Sequence, residues 1–153
     1  MRRLFYAPFV GGRGALGLLA LRVVAGAAFV CHGWVKIQNP FGWADKIPGF
    51  EAPGFLQALA ALAEFGGGLA LIVGFLTPLA ALGIGCTMAV AITQLHLPAG
   101  HPFVNLEPKP APSIEPAAVY LGVAVMFFLV GPGMLSVDAY LLGGWGSGRR
   151  DQR

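Results

Sequence analysis

The amino-acid sequence predicts an all-α integral membrane protein: a four-helix bundle followed by a short C-terminal helix at the membrane interface. Of its 153 residues, 56% are hydrophobic and only 11% are charged. A soluble domain is typically about a quarter charged, and one small core cannot cover this much apolar surface. Long apolar runs alternate with glycine- and proline-rich turns. The sequence therefore predicts one membrane-spanning domain over residues 1–153.

The first predicted span covers residues 16–37 and carries three ionisable side chains, Arg22, His32 and Lys36. On a helix that turns by about 100° per residue, these positions fall within roughly 80° of one another, so they share one face. Ionisable groups are costly in hydrocarbon and turn toward a partner or a wet cavity. This face is therefore expected to line the interior of the bundle.

The second and third predicted spans differ in polarity. Residues 55–75 carry Glu64 near their middle, whereas residues 79–97 hold no acidic or basic side chain before His96. Thr77-Pro78 lies between the two spans. A threonine oxygen accepts hydrogen bonds from the first N–H groups of a helix, and proline suits the first helical position. Thr77 is therefore the predicted N-cap of the third span.

The fourth predicted span covers residues 115–130 and is about 24 Å long, which is short for a bilayer. The sequence Gly131-Pro132-Gly133 ends it. Ser136 is predicted to cap a short interfacial helix over residues 137–142. Asp138 then lies in the first turn of that helix, where the dipole favours a carboxylate.

Basic residues predict how the chain is oriented in the membrane. Four spans place both ends of the chain on one side. The arginines near these ends are Arg2, Arg3, Arg13, Arg149, Arg150 and Arg153. The loops on the opposite side hold Lys46 and Lys109. The positive-inside rule then predicts cytoplasmic termini for a multi-pass protein of a bacterial plasma (inner) membrane. Because the net charge of +3 comes mainly from the ends and forms no basic stripe, no nucleic-acid partner is predicted.

Helix geometry predicts one ion pair inside the bundle. From the rise of 1.5 Å per residue, Arg22 in the first span and Glu64 in the second differ in depth by roughly 7 Å. A long arginine side chain covers much of that gap. We therefore predict an intramembrane Arg22–Glu64 pair, whose role is to fix the register and orientation of the helices.

A second polar cluster is predicted beneath the outer loops, formed by His32, Lys36, Glu115 and Tyr120. Histidine has the unperturbed pKa nearest neutrality, and a neighbouring lysine can hold an anionic oxygen. The cluster therefore suits proton handling at a catalytic site. In the alternative interpretation, Lys36 extends to the membrane interface and the cluster only packs the helices.

Neither a metal nor a haem is predicted. His96, His101 and Glu107 lie at loose spacing in and around a proline-rich loop, without a second histidine pair. His32 and His96 are the candidate axial ligands of a haem, and the sequence carries no haem-attachment motif.

The two cysteines, Cys31 and Cys86, lie in apolar runs and lack CxxC spacing. Free cysteine is among the most frequently buried residue types. We therefore predict two buried, inert thiols, with a membrane disulfide as the alternative.

In their order and spacing, these residues resemble the DoxX family of small four-helix membrane proteins, over residues 18–142. The matching positions are Arg22, Gly26, His32, Gly33, Lys36, Glu64, Gly67, Gly68, Gly74, Thr77, Pro78, Met88, Ala91, Glu115, Tyr120, Gly131, Pro132, Gly133, Ser136 and Asp138. Many members carry a basic residue where this chain has Pro78. The resemblance implies the four-helix membrane fold. Some members are similar to the membrane subunit of thiosulfate:quinone oxidoreductase, and others act in membrane complexes concerned with oxidative stress and thiol homeostasis.

Two functional hypotheses follow from the resemblance and the outer cluster. In the first, the protein is the quinone-facing membrane subunit of a redox complex. His32, Lys36 and Tyr120 bind the quinone cofactor, Glu115 joins them in catalysis, and a partner outside the membrane supplies electrons. In the second, the protein is a non-catalytic membrane scaffold or assembly factor, bound to a partner subunit or to further copies of itself.

Overall fold

The computed structural model describes residues 8–142, which are helical wherever they are regular. The helices are α1 (Gly12–Ile37), α2 (Gly54–Val73), α3 (Thr77–Val90), α4 (Glu115–Val130) and α5 (Val137–Leu142). A π-helical segment, Ala91–His96, continues α3. Within residues 8–142 there is no β-strand. Of the arginines used to predict the topology, Arg2, Arg3, Arg149, Arg150 and Arg153 lie outside the described residues.

Three of these helical stretches are long and apolar enough to cross a membrane: Gly12–Ile37, Gly54–Val73 and Thr77–His96. The fourth apolar helix, α4, has 16 residues and extends about 24 Å at 1.5 Å per residue. A hydrocarbon core is about 30 Å thick. The all-helical membrane bundle is therefore confirmed, and the fourth crossing stays a prediction.

The outer surface of the bundle is apolar, and the interior holds small and aromatic residues. Large apolar side chains point outward from all four long helices, including Val35, Leu59, Leu82 and Leu129. The largest buried apolar side chains form one core cluster, which contains Phe29, Leu71, Ile84 and Phe127. An apolar exterior is what a lipid environment requires, because lipid and not a second layer of protein covers it.

Helices α1 and α2 touch backbone to backbone, because glycines lie at their contact. A Cβ atom added at Gly26 would lie 2.7 Å from the carbonyl oxygen of Gly68. A Cβ atom at Gly68 would lie 2.8 Å from the backbone nitrogen of Val30, and one at Gly33 would overlap the backbone of Phe65. Small residues that permit such approach are the usual basis of helix association in membranes.

This contact fixes the register of the two helices. Gly33 lies against Phe65, so Lys36 is level with Glu64, and Arg22 lies farther along at the level of Gly74. We refer to these two levels as the Lys36 end and the Arg22 end of the bundle. The first turns of α2 extend past the end of α1, and the connecting loop folds onto them through Gln57.

The glycine contact yields a matched pair of variants. Gly33→Ala places a methyl group into the Phe65 backbone, so the helices must separate, and overpacking of this kind costs about 1–3 kcal/mol. Gly122 in α4 has open space around its missing side chain, so Gly122→Ala adds helix propensity without a clash. In thermal unfolding of the detergent-solubilised protein, we expect a clearly lower Tm for Gly33→Ala and an equal or higher Tm for Gly122→Ala. Equal Tm values for the two variants would contradict the tight α1–α2 contact.

Candidate functional site

At the Lys36 end, a buried ion pair joins α1 to α2. Lys36 Nζ lies 2.5 Å from Glu64 Oε1. The Glu64 side chain is only 2% exposed and that of Lys36 is 24% exposed. The ammonium group also lies 4.3 Å from the ring centroid of Trp43, where the negative face of the indole attracts a cation. Lys36 therefore turns inward, to a carboxylate and an aromatic ring.

The predicted Arg22–Glu64 pair was wrong. Gly33 lies level with Phe65, and Arg22 is eleven residues before Gly33, which places Arg22 about 16 Å away along the helix axis. The prediction assumed that the first two spans begin at equal depths on opposite sides. Because α2 extends beyond the end of α1, Glu64 reaches Lys36 instead.

Trp43 is held over the ion pair by hydrogen bonds that centre on Gln57 of α2. Trp43 Nε1 donates to the backbone oxygen of Gln57 at 2.9 Å. The Gln57 side chain accepts a hydrogen bond from the Ala44 N–H at 2.8 Å and donates to Asp45 Oδ1 at 2.7 Å and to the Ala52 oxygen at 2.9 Å. This side chain thereby uses its carbonyl and amide groups to fix the loop. Its role was not anticipated from the sequence.

Glu64 retains an unused acceptor in the interior. Its Oε1 atom accepts from Lys36, whereas its Oε2 atom is buried without a hydrogen-bond partner. An ionised carboxylate has about four acceptor positions, and an unsatisfied one in a buried place is costly. The Lys36 end therefore holds a carboxylate that is neutralised but still open to a further donor.

The predicted outer cluster assembles only in part. His32 is exposed on α1, one helical turn from Lys36, and its ring lies 6.5 Å from the ring of Tyr120 on α4. Tyr120 also packs against Phe29, at 4.9 Å between ring centroids. Glu115 begins α4, is exposed, and makes no side-chain hydrogen bond or ion pair with the residues from 8 to 142. The acidic member of the cluster is thus Glu64 rather than Glu115.

At the Arg22 end, a second buried charge meets the segment that follows α4. Arg22 is fully buried, and its Nη2 atom donates to the backbone oxygen of Leu135. Its charge also interacts with the carboxylate of Asp138. The Nε and Nη1 atoms have no hydrogen-bond partner. Gly74 has φ +69°, and a Cβ atom there would overlap Arg22 Nη1, so glycine is needed for both the turn and the contact.

Asp138 caps α3 across the fold. Its Oδ1 accepts from the Leu76 N–H at 2.8 Å and its Oδ2 from the Thr77 N–H at 2.9 Å, while its own N–H donates to the Gly74 oxygen at 2.8 Å. Leu76 adopts the left-handed conformation, φ 47°, which is unfavourable for a branched side chain. Two charge-assisted hydrogen bonds stabilise this turn.

The predicted Thr77 cap was therefore wrong, whereas the predicted Ser136 cap is confirmed. Thr77 begins α3, and its hydroxyl oxygen is buried without a partner. Ser136 Oγ accepts from the Ala139 N–H at 3.1 Å in the first turn of α5. The local cap was predictable from the nearby residues, and the long-range cap was not.

The cysteines differ from expectation, and two of the histidines lie close together. Cys31 and Cys86 are free thiols on the exposed surface, so the prediction of buried thiols was wrong. An apolar residue of a membrane bundle can face lipid as readily as the core. His96 Nδ1 lies 3.0 Å from His101 Nδ1. Within residues 8–142, no group of three or more histidine, cysteine, aspartate or glutamate residues is arranged to hold a metal.

Comparison with known proteins identifies the family. The family model for DoxX matches residues 17–97, which is more than half of the chain. The protein belongs to the DoxX family. The matched DoxX region contains most of α1, all of α2 and α3, and the Lys36–Glu64 pair, and it ends before α4.

A curated relative supports the cellular location. The chain is 40% identical over 67 residues to "Inner membrane protein YqjF" of Escherichia coli (strain K12). The match covers 44% of this chain and 52% of the relative, so the chain spans about half the length of the curated relative it matches. No solved structure matches this chain. Together with the three helices able to cross a membrane, this relationship identifies a multi-pass bacterial inner-membrane protein.

The two ion-pair assignments predict different energetic coupling. Lys36→Met and Glu64→Gln remove groups in direct contact, so the double variant should lose less stability than the two single variants combined, with a coupling of about 0.5–3 kcal/mol. Arg22→Met and Glu64→Gln should be additive, because residues with no shared partner and more than about 10 Å apart rarely couple. Tm or denaturant midpoints of the six proteins measure this. Additivity in the first cycle, or coupling in the second, would overturn the assignment.

Removal of the Asp138 carboxylate should destabilise the Arg22 end. Asp138→Ala leaves two N–H groups without their acceptor, and a hydrogen bond to a charged group contributes about 1.5–3 kcal/mol. We expect a large decrease in Tm for Asp138→Ala. Glu115→Ala, which removes an exposed carboxylate, should leave Tm nearly unchanged. If the two substitutions lower Tm equally, Asp138 does not cap α3.

Proposed function

We propose that this DoxX protein is the quinone-facing membrane subunit of a redox complex. The observation that supports the proposal is the arrangement at the Lys36 end: a buried carboxylate with a free acceptor atom is paired with Lys36, which lies one helical turn from the exposed His32. Quinone reduction consumes two electrons and two protons. It therefore needs hydrogen-bonding groups at the ring and protonatable groups that connect to water.

His32 and Tyr120 suit contact with a quinone ring. His32 is exposed and its ring approaches that of Tyr120, so a molecule dissolved in the lipid can reach both without entering the core. An imidazole N–H and a phenol O–H can each donate a hydrogen bond to a quinone carbonyl oxygen. Electron density that builds on these oxygens during reduction is stabilised by such donors.

Lys36 and Glu64 suit proton supply. Lys36 is partly exposed and contacts the buried Glu64 carboxylate directly, so its ammonium group can donate a proton to that carboxylate and, as the amine, take up another proton from water. In this scheme a partner on the outer side, oxidising a sulfur or thiol compound, delivers two electrons. The quinone takes up two protons through His32 and the Lys36–Glu64 pair and leaves as quinol. Glu115, at the exposed start of α4, is proposed to contribute charge at the entrance.

We also propose the orientation predicted from the sequence, with both termini cytoplasmic and the Lys36 end on the outer side. Arg13 lies in the first turn of α1, at the opposite end of that helix from Lys36. The arginines of the two terminal segments add to this asymmetry. With this orientation, an electron donor outside the cytoplasm meets the proposed quinone site directly.

A scaffold or assembly factor is the second candidate function. One observation favours it: Arg22, Lys36 and Glu64 all bind groups within the chain. Buried ionic groups can serve to specify one arrangement of helices rather than to carry chemistry. In that case, the loops at the Lys36 end dock a partner protein, and no quinone is bound.

Quinone binding distinguishes the two functions. The tag-free protein, extracted gently from its own membrane, is analysed by native mass spectrometry and then titrated with decylubiquinone and a short-chain menaquinone while tryptophan fluorescence is recorded. We expect a quinone-sized adduct and saturable quenching, with affinity lowered at least tenfold in His32→Leu at unchanged Tm. Cys31 is the exposed neighbour of His32, and the Cys31→Ser variant should bind quinone as the natural protein does.

Unchanged affinity in His32→Leu would end the quinone assignment at this site. A quinone-free protein that is isolated in a stoichiometric complex with another polypeptide would instead support the scaffold.

A further inference from the structure

A pair of histidines lies at the end of the π-helical segment, away from the residues proposed for the quinone. His96 ends this segment, and His101 lies in the loop beyond it. Their Nδ1 atoms are 3.0 Å apart, and their ring centroids are 5.2 Å apart at an interplanar angle of 61°. The same ring nitrogen of both imidazoles therefore lies at the contact between them.

The backbone holds this arrangement in place. The His101 N–H donates to the His96 oxygen at 3.1 Å, and the Gly100 N–H donates to the Leu97 oxygen at 3.1 Å. Gly100 has φ +69°. Together these features form a Schellman motif, in which a left-handed residue ends a helix and two side chains across the turn come into contact. That contact is commonly hydrophobic, whereas here it joins two imidazoles.

We propose that His96 and His101 bind a divalent copper ion through their Nδ1 atoms. Imidazole nitrogen suits copper, and the affinity of divalent first-row metals for such ligands is highest for Cu²⁺. With metal–nitrogen bonds of about 2.0 Å, two nitrogens 3.0 Å apart subtend roughly 95° at the metal. An angle near 90° matches two neighbouring positions of a tetragonal Cu²⁺ site rather than the wider angle of tetrahedral zinc.

The protonation of the two imidazoles is compatible with copper binding. Two neutral imidazoles can share a hydrogen bond between Nδ1 atoms only if one of them carries its proton there. Copper binding needs both Nδ1 lone pairs, so that one ring must shift its proton from Nδ1 to Nε2. No net proton is released when both rings start neutral. Both histidines are only half-buried, so water can complete the coordination of the ion.

A bound ion would join the end of the third long helix to the loop that leads to α4. That loop is already attached to α4 through the Ile114 N–H, which donates to the Pro102 oxygen, and the Glu115 N–H, which donates to the Phe103 oxygen. Copper at His96 and His101 would therefore link the two helices through a short chain of fixed contacts. The site lies at the Lys36 end of the bundle and does not depend on quinone binding.

Copper titration followed by electron paramagnetic resonance tests the proposal on the full-length protein in detergent, after removal of any histidine tag. We expect one equivalent of Cu²⁺ with a tetragonal spectrum and coupling to two imidazole nitrogens. His96→Ala and His101→Ala should each weaken binding at least tenfold. The chain contains three histidines, and His32 is the one outside the proposed site. His32→Ala is therefore the matched control and should bind copper as the natural protein does.

The thermal response gives an independent measure. A ligand that binds only the folded state raises Tm by mass action, so Cu²⁺ should raise the Tm of the natural protein and of His32→Ala but not that of His101→Ala. A spectrum of the natural protein without two coupled imidazole nitrogens would overturn the proposal, whatever the variants do. Equal copper affinity in the natural protein and His101→Ala would overturn it as well.

Discussion

The backbone contact between α1 and α2 determines which charged groups can meet. Gly26, Gly33 and Gly68 allow the two backbones to approach more closely than a Cβ atom at any of these positions would permit. In that register Lys36 faces Glu64, and Arg22 faces the turn that follows α2. A shift by one helical turn, about 5.4 Å, would separate Lys36 from its carboxylate and leave both charges unpaired in an apolar interior. The glycine contact and the ion pair therefore select the same arrangement.

Among residues 8–142, each end of the bundle contains one buried carboxylate, and the two are neutralised differently. Glu64 faces an ammonium group, whereas Asp138 accepts two backbone N–H groups and lies near a guanidinium. Each Asp138 oxygen accepts a backbone N–H, and these bonds close the turn between α2 and α3. The Glu64 site retains a free acceptor atom and lies near the exposed His32. This contrast is why the Lys36 end, rather than the Arg22 end, is the candidate for chemistry.

The sequence predicted the helices well because their signals are local. Apolar runs and the breakers around Gly131-Pro132-Gly133 are visible in a short window, and so is the Ser136 cap. The depths of the charged side chains in the bundle were predicted less well. Because the chain between α1 and α2 folds back over α2, counting residues from each helix end placed Glu64 opposite the wrong cation. The correct partner, Lys36, is identified only after Gly33 and Phe65 are known to touch.

Part of the candidate site depends on contacts that no local pattern reveals. The approach of His32 to Tyr120 was predicted, because helix depth alone places both near the same end. The role of Gln57 in holding Trp43 was not predicted, because a glutamine near the start of a helix can form several different hydrogen bonds. The meeting of His96 and His101 depends on the left-handed Gly100, and a spacing of five residues alone does not distinguish such a turn from an open loop.

The cap of α3 has a consequence for biosynthesis. Leu76 and Thr77 receive their acceptor from a residue 61 to 62 positions later in the chain. When α2 and α3 leave the ribosome and enter the membrane, the strained turn between them has no carboxylate to accept its N–H groups. Those groups must find lipid headgroups or water until α5 is synthesised. The hairpin of α2 and α3 therefore reaches its final form only after α5 has been synthesised, and the arrival of α5 locks helices that are already inserted.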